Sequence, residues 1–297
     1  MPTYDFVTLD VFTDTRFGGN PLAVFPDARG LSDADMQALA AELNLSETTF
    51  VLPPSDPANT ARVRIFNRTA EMPFAGHPNV GTGFVLAGLG RDRDGVLRFE
   101  EIAGLVEVRV ARDPAGALTG AVIDAPRPLA LGPELTAAQV AACASLSPDD
   151  VVSTGHAPVQ GSLGVDFFFA QVTSESLSRA APDVAGFQRT SAETDAGGDR
   201  LSLFLYAPDA DGVTVRARMF APLSGTFEDA ATGSASATLG ALLLSLTTKD
   251  EARFEIIQGV EMGRPSRLNV SARRAPDGVR ASVGGGCVPV FTAQVTL

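Results

Sequence analysis

The residues of this chain that could do acid/base chemistry are few, and two of them precede apolar helices. His77 lies in PFAGHPNVGTGFVLAG (73–88), and the chain has two histidines in all. An imidazole exchanges protons near neutral pH, although a lone histidine is more often a hydrogen-bonded core or surface residue. Asp229 lies in FEDAATGSASATLG (227–240) and stands, by its letters, at the place corresponding to His77. An aspartate there is also a common helix N-cap, so a catalytic and a structural interpretation stay open for each residue.

A third candidate is Glu47, which lies in NLSETTFV (44–51) at the mouth of an apolar strand. An isolated glutamate is usually a solvated loop residue. If this one points inward, burial brings a carboxyl group toward the balance of protonated and ionised forms that acid/base catalysis needs. One such carboxylate could take a proton from one carbon and return it to another.

Small residues surround both helix starts. The first N–H groups of a helix are unpaired and carry partial positive charge, so two helix starts facing one another would bind a small carboxylate. Gly76 and Gly233 have no side chain that would keep a ligand from the backbone, and Ser234 can add a hydroxyl donor. The alternative is that these small residues only pack against an enclosing sheet.

Alternating and β-branched runs recur through the chain, which indicates that most of the elements that position these residues are strands. They predict strands at 4–12, 22–25, 48–52, 61–67, 97–101, 105–110, 166–172, 201–207 and 214–220, with more to the end. An amphipathic surface helix is predicted over 32–44. The helices that follow Pro78 and run over 232–246 are apolar on all sides, so each must be enclosed.

The two halves of the chain repeat one scheme. RIF (64–66) leads through a loop to His77, and RMF (218–220) leads through a loop to Asp229. A length of 297 residues also favours two domains. We therefore predict domains over 1–125 and 126–297 with a Pro-rich link at 124–129, and the last strand is free to return to the first domain.

Charge and composition exclude several classes of partner. The net charge of -12 and the lack of a basic run disfavour nucleic acid and anionic membranes. The apolar run 239–246 is far shorter than the roughly 20 residues that span a bilayer, and an acidic amino terminus disfavours a signal peptide, so a cytoplasmic protein is expected. Cys143, Cys287 and the histidines show no metal-ligand spacing, and both thiols are expected to be buried or inert.

Several motifs, in order, resemble those of the PhzF-like phenazine-biosynthesis isomerases, which belong to the broader group with the diaminopimelate-epimerase fold. They are DVFT (10–13), GNPLAV (19–24), NLSET (44–48), PFAGHP (73–78), EDAATGSA (228–235), QG (258–259) and GRPS (263–266). The resemblance covers nearly the whole chain. It implies an α+β fold of two pseudo-symmetric domains, each a β-barrel-like sheet around a central buried helix, with the active site in the cleft between them and, in many members, a homodimer.

The resemblance also implies roles for individual residues. Glu47 looks like the acid/base, and His77 and Asp229 look like flanking polar residues that orient the substrate or assist proton movement. Gly76, Gly233 and Ser234 look like substrate-binding positions, and no cofactor is implied. The reaction of the namesake enzyme is isomerisation of trans-2,3-dihydro-3-hydroxyanthranilate by moving a proton between ring carbons.

Departures from the family pattern leave other functions open. The epimerase branch uses a cysteine at each helix start, where this chain has Ala75 and Thr232. Ala230 stands where proline is usual and Asn79 where threonine is common, and Asn79 could alter a substrate contact. The missing cysteine pair argues against cysteine racemisation. An epimerase or racemase of a small amino or hydroxy acid that uses Glu47 with His77 or Asp229 is one alternative, and a non-catalytic protein that binds a carboxylate metabolite is another.

Overall fold

The computed structural model describes residues 1–194 and 201–297. The α-helices are α1 (Asp33–Leu43), α2 (Gly76–Gly88), α3 (Ala137–Ala144), α4 (Ser174–Arg179), α5 (Val184–Thr194) and α6 (Gly233–Ser245). Short 3-10 helices cover Pro148–Asp150 and Pro222–Ser224.

The strands of the first half are β1 (Thr3–Val11), β2 (Asn20–Phe25), β3 (Glu47–Leu52), β4 (Ala61–Phe66), β5 (Glu71–Met72), β6 (Val96–Glu101), β7 (Gly104–Arg112) and β8 (Leu118–Asp124). Those of the second half are β9 (Ala130–Glu134), β10 (Val159–Ser162), β11 (Asp166–Gln171), β12 (Leu203–Pro208), β13 (Thr214–Ala221), β14 (Thr226–Asp229), β15 (Glu251–Gln258), β16 (Ser266–Ala275) and β17 (Gly278–Thr296).

The chain forms two compact units, and one strand contributes to both. The first unit contains Met1–Asp124 and Gly284–Leu297, and the second contains Ala125–Val283. The first residues of β17 therefore belong to the second unit and its longer remainder to the first.

The first unit is a closed sheet around α2. β1 and β2 are antiparallel, β2 and β3 parallel, β3 and β4 antiparallel, β4 and β6 parallel, and β6, β7 and β8 antiparallel. β17 pairs with both β1 and β8, which closes the sheet into a barrel-like form. α2 contacts β1, β2, β3, β7 and β8, as its apolar sequence requires.

The second unit repeats this order around α6. β10 and β11 are antiparallel, β11 and β12 parallel, β12 and β13 antiparallel, β13 and β15 parallel, and β15 and β16 antiparallel. α6 contacts β10, β11, β15 and β16. The predicted α+β class, with two similar units each wrapped around a buried helix, is confirmed.

A buried arginine stabilises the same turn in each unit. Arg64 on β4 makes a paired hydrogen bond to Glu71 at 2.7 and 2.6 Å and stacks on Phe66 at 5.1 Å. Arg218 on β13 makes the same paired hydrogen bond to Glu228 at 2.8 Å for each contact. It stacks on the Phe220 ring at 5.0 Å. Each pair ties the turn before a central helix to the strand that leads into it. Glu228 therefore has a structural role in this turn.

The helix bounds differ from the sequence prediction in two respects. α2 begins at Gly76, two residues before Pro78, and the helices α3, α4 and α5 were not predicted. A capping box of Thr136 with Gln139 marks the start of α3 in the sequence. Within the described residues, no helix is long and apolar enough to cross a membrane.

Candidate active site

Glu47 and His77 are brought together in the first unit. Glu47 is the first residue of β3, and its Oε2 lies 3.2 Å from Nε2 of His77 in the first turn of α2. The side chains are 16% and 6% exposed, so Glu47 points inward rather than into solvent. The solvated-loop interpretation of Glu47 is therefore wrong.

A buried hydroxyl pair sets this contact. Thr49 on β3 and Thr82 on α2 are both 0% exposed, and their Oγ1 atoms lie 2.8 Å apart. Residues two apart on a strand point to the same face, so Glu47 and Thr49 both face α2. The hydrogen bond between the threonines fixes β3 against the helix and thereby places Glu47 beside His77.

His77 is uncharged in this environment. Burial lowers its pKa to about 3, and a hydrogen bond with the backbone of Pro21 opposes this shift. Proline has no backbone N–H, so the ring donates its single proton to the Pro21 carbonyl. Since Nε2 is the nitrogen that faces Glu47, the donor is Nδ1. The GNP sequence at 19–21 thus selects the tautomer of His77.

A single proton can therefore lie between Glu47 Oε2 and His77 Nε2. The neutral imidazole presents the Nε2 lone pair to Glu47 Oε2, and an ionised carboxylate would present a second acceptor to it. A proton on Glu47 turns the 3.2 Å contact into an O–H···N hydrogen bond. The pair can release and recover a proton with little rearrangement.

The start of α2 has an uncapped first turn. Ala75 is the N-cap residue, and no described side chain makes a capping hydrogen bond there. Gly76, His77 and Asn79 are all buried in this turn. Asn79 is 0% exposed and donates to the Ala75 carbonyl at 3.0 Å, so it supports the turn instead of reaching out to a substrate as the sequence suggested.

The second unit holds the other predicted residues. Gly233 and Ser234 are the first two residues of α6, and Asp229 is the last residue of β14, before the helix begins. The N-cap residue is Thr232, so the N-cap interpretation of Asp229 is wrong. The correspondence between Asp229 and His77 is also wrong, because Ser234 occupies the second helical position that His77 has in α2.

A buried glutamine organises this turn and was given no role from the sequence. The Thr232 hydroxyl donates to Asp229 Oδ2 at 2.7 Å. Gln258, which is 0% exposed, accepts from the Thr232 N–H at 3.0 Å and donates to the Asp229 carbonyl at 2.8 Å. A Cβ on Gly259, which has φ +73°, would lie 2.6 Å from the Ala230 carbonyl oxygen. The QG pair at 258–259 therefore packs directly against the turn that carries Asp229.

Comparison with known proteins identifies the family. The model of the phenazine biosynthesis-like proteins, PhzC-PhzF, matches residues 9–293. An uncharacterized isomerase of Mesorhizobium japonicum is 35% identical over 99% of both chains. The trans-2,3-dihydro-3-hydroxyanthranilate isomerase of Pseudomonas fluorescens is 34% identical over 99% of this chain and 100% of its own. A solved structure described as a predicted epimerase, from Pseudomonas aeruginosa, is 33% identical over 99% of both chains with a TM-score of 0.79.

The chain belongs to the phenazine biosynthesis-like (PhzF) family and is an isomerase. The predicted family and enzyme class are thereby confirmed, and the fold is of the epimerase-like type.

Proposed function

We propose that this isomerase moves a proton between two carbons of a small, cyclic carboxylic acid, with Glu47 as the acid/base and without a cofactor. The observation that carries the proposal is the contact of 3.2 Å between Glu47 Oε2 and His77 Nε2 in a mostly buried position. A Glu47 carboxylate there is sheltered from bulk water. After Glu47 has abstracted a proton, His77 Nε2 can accept a hydrogen bond from the resulting carboxylic acid.

The proposed reaction has two proton transfers. Glu47, as the carboxylate, removes a proton from an acidic C–H and leaves its electron pair in the conjugated system of the substrate. The resulting carboxylic acid donates a hydrogen bond to His77 Nε2. Glu47 then returns the proton to another carbon, so the substrate and the enzyme keep their proton counts.

His77 acts in this scheme as a neutral acceptor. With a pKa of about 3 the imidazole is too weak a base to take the proton from a carboxylic acid, so the proton stays on Glu47. The hydrogen bond orients the carboxyl group and stabilises its protonated form between the two transfers. The fixed Nδ1–H···Pro21 contact keeps Nε2 in its acceptor form throughout.

The substrate carboxylate would bind at a helix start. The first-turn N–H groups of α2 receive no capping hydrogen bond from a described side chain, and Gly76 has no side chain that would cover them. Gly233 and Ser234 offer the same backbone chemistry at α6, with one hydroxyl added. Asp229 is held in the turn before α6 by Thr232 and Gln258, and it is proposed to orient a polar group of a ligand bound at that helix start.

The first substrate to test is trans-2,3-dihydro-3-hydroxyanthranilate, because relatives 34–35% identical to this chain are named as its isomerases. It is a small cyclic carboxylic acid of the proposed kind. A panel of other cyclic and amino carboxylic acids extends the search if this compound is not consumed.

The decisive experiment compares two glutamine variants in heavy water. Glu47→Gln keeps the shape of the side chain but cannot exchange a proton, so turnover should fall at least about a hundredfold. Glu42→Gln, on the exposed face of α1, is the matched control and should keep the wild-type rate. NMR would follow both substrate loss and carbon-bound deuterium. A Glu47→Gln protein that is folded by circular dichroism and fully active would remove Glu47 from the mechanism.

Epimerisation is the second candidate, because the predicted epimerase of Pseudomonas aeruginosa shares the fold at 33% identity. Inversion by two bases needs a second acid/base on the opposite face of one carbon. Deuterium at an inverted stereocentre with no shift of a double bond would favour this reaction over isomerisation. A ligand that binds equally to wild type and Glu47→Gln without any proton exchange would instead indicate a binding protein.

A further inference from the structure

Glu101 is a second inward-facing carboxyl group in the first unit, and neither the sequence analysis nor the proposed reaction uses it. On β6, Leu97 and Phe99 are both 0% exposed, and Glu101 continues the same inward-facing row. Both of its carboxyl oxygens are inaccessible to solvent and make no hydrogen bond to a described residue. An acid sealed on the core face of a strand calls for a specific reason.

Its polar neighbour is Asn79, close to the catalytic histidine. Asn79 is 0% exposed, and its amide nitrogen donates to the Ala75 carbonyl at 3.0 Å. Its Oδ1 is also buried and accepts no hydrogen bond from a described residue. Burial raises the pKa of Glu101 to about 8, and the adjacent Asn79 side chain opposes this shift. The two side chains are therefore neighbours, although no hydrogen bond of good geometry joins them with Glu101 ionised.

The hairpin that carries Glu101 is attached to the helix start at a second point. At the turn between β6 and β7, the Ala103 N–H donates to the Pro73 carbonyl at 3.1 Å. Pro73 begins the loop that enters α2, and Asn79 follows His77 by two residues. The hairpin thus meets the His77 segment both before and after the histidine.

One proton resolves the cluster of buried acceptors. When Glu101 is ionised, Asn79 can direct its second amide N–H toward a carboxylate oxygen, which opposes the rise in the pKa of Glu101, but Glu101 offers no donor to Asn79 Oδ1 and the charge stays buried. When Glu101 is protonated, its O–H can donate to Asn79 Oδ1, while the Asn79 amide nitrogen keeps its bond to Ala75. The uncharged form therefore supplies a donor to Asn79 Oδ1, and the ionised form does not.

We propose that Glu101 is a positioning residue for the isomerase site: as an uncharged carboxylic acid it donates to Asn79, and so holds the first turn of α2 with His77 in place beside Glu47. This inference rests on the proposed function for its catalytic consequence. Its structural part, that the ionisation of Glu101 disturbs His77, stands without it.

The strands beside Glu101 present apolar side chains to the interior and charged side chains to the outer face. The inward residues of the neighbouring strands β4 and β7 are apolar, namely Ala61, Val63, Val106 and Val108. The charged residues of β4, β6 and β7 that alternate onto the outer face are Arg62, Arg64, Arg98, Glu100, Glu107 and Arg109. Arg112 follows an irregularity in the register of β7 and is exposed. α2 contributes His77 as its single titratable group, and that imidazole is uncharged. Glu47 of β3 is the other carboxyl group at this end of the helix, and it contacts His77 directly. A change at His77 that the Glu101→Gln substitution abolishes is therefore assigned to Glu101.

The test uses the fact that the chain has two histidines. Ring ¹⁵N signals of the full chain, assigned with His156→Asn, should show the His77 signals moving between pH 6 and 10 with a midpoint near 8. Glu101→Gln donates an amide N–H to Asn79 at every pH, so its His77 signals should stay constant. Glu107→Gln, on the outer face of β7, is the matched control and should keep the wild-type shift. Immobile wild-type signals, or equal movement in Glu101→Gln, would overturn the proposal.

A kinetic arm separates this proposal from the proposed function. Wild type should lose about tenfold in kcat between pH 7 and 9 as Glu101 ionises, with KM nearly constant, whereas Glu101→Gln should stay flat. Glu101→Ala should lower kcat at pH 7, and Glu101→Gln should restore it. If the His77 signals move as expected but no protein shows turnover, the isomerase mechanism fails and the coupling of Glu101 to His77 holds. Equal kcat in Glu101→Ala and wild type would overturn the positioning role.

Discussion

At the scale of single residues, the site depends on a histidine that remains neutral. His77 is 5% exposed, and its only proton is committed to the Pro21 carbonyl. The more familiar arrangement, in which a histidine gains and loses the catalytic proton, needs a pKa near the working pH. In the proposed reaction that task falls to the Glu47 carboxyl group, and the imidazole supplies a fixed lone pair.

The low pKa of His77 predicts a specific dependence of stability on pH. In the unfolded chain a histidine titrates near 6.5, and in the folded protein His77 titrates at about 3. As the pH falls from 6.5 toward 3, the unfolded state gains a proton that the folded state does not, so the free energy of unfolding decreases. The loss from this group is about 1.4 kcal/mol per pH unit, and above pH 6.5 the group contributes no pH dependence.

Urea unfolding at pH 5, 6 and 7 measures this effect. His77→Gln should be less sensitive to acid than wild type by about 2 kcal/mol over the interval from pH 7 to 5. Carboxyl groups titrate in both proteins, so the difference between the two curves isolates His77. Parallel curves would show that His77 titrates normally in the folded state.

The sequence predicted part of the site because some roles follow from residue type and neighbours. Glu47 and His77 were both predicted, and the structure brings them together. Asp229 was matched to His77 by letters, but the spacing from a strand to the first helical residue depends on how the turn is held, here by Gln258. Glu101, for which a positioning role is proposed, received no role from the sequence, although the alternation of Leu97, Phe99 and Glu101 already places it on the inward face.

At the scale of elements, the two central helices meet their sheets at equivalent glycines. A Cβ added to Gly83 of α2 would lie 2.5 Å from Val108 Cγ1, and one added to Gly240 of α6 would lie 2.4 Å from Val270 Cγ1. Each position is the eighth residue of its helix and faces a central strand of its own unit. Close helix-to-sheet approach is thus required at the same place in both units.

This contact predicts opposite effects for two glycines on one helix. Gly83→Ala should destabilise the protein by about 1–3 kcal/mol, because overpacking against Val108 outweighs the gain of about 1 kcal/mol in helix propensity. Gly88→Ala is the control, since its Cβ would meet only Leu118 Cδ2 at 3.9 Å, and it should be neutral or stabilising. Chemical unfolding measures both. Equal effects of the two substitutions would show that the packing argument at Gly83 fails.

Helices and strands were predicted correctly where burial alone determined the sequence pattern. The all-round apolar helices and the alternating strands were recognisable because burial imposes their patterns. α3 and α4 were missed because they are short, with 8 and 6 residues, although side-chain caps at Thr136 and Thr173 mark their starts. α5, which has 11 residues like α1, was also missed. The pairing of β17 with both β1 and β8 is a long-range property that no local pattern encodes.

At the scale of the whole molecule, each unit contains one buried thiol. Cys143 lies in an apolar cluster of the second unit, and Cys287 lies on the part of β17 that belongs to the first. Burial raises the pKa of Cys143 to about 11 and raises that of Cys287 as well. The prediction that both thiols are buried and unbridged is confirmed.

The two thiols therefore report separately on the two units. At pH 8 both should react with an alkylating reagent at least about a hundredfold more slowly than in the denatured chain, because little thiolate forms and the sulfur is inaccessible. Peptide mass spectrometry assigns the label to each site. Labelling of either thiol at the denatured rate would show that its unit opens far more readily than this packing allows.

β17 also has a consequence for the order in which the molecule can be completed. The ribosome synthesises every residue of the second unit before it reaches Gly284, yet β1 needs residues 287–296 as its partner. In the nascent chain, β1 therefore lacks its β17 partner until the whole second unit, more than half of the chain, has been synthesised. Translation speed and chaperone protection of that unpaired edge should then matter more for the amino-terminal unit than for the one made after it.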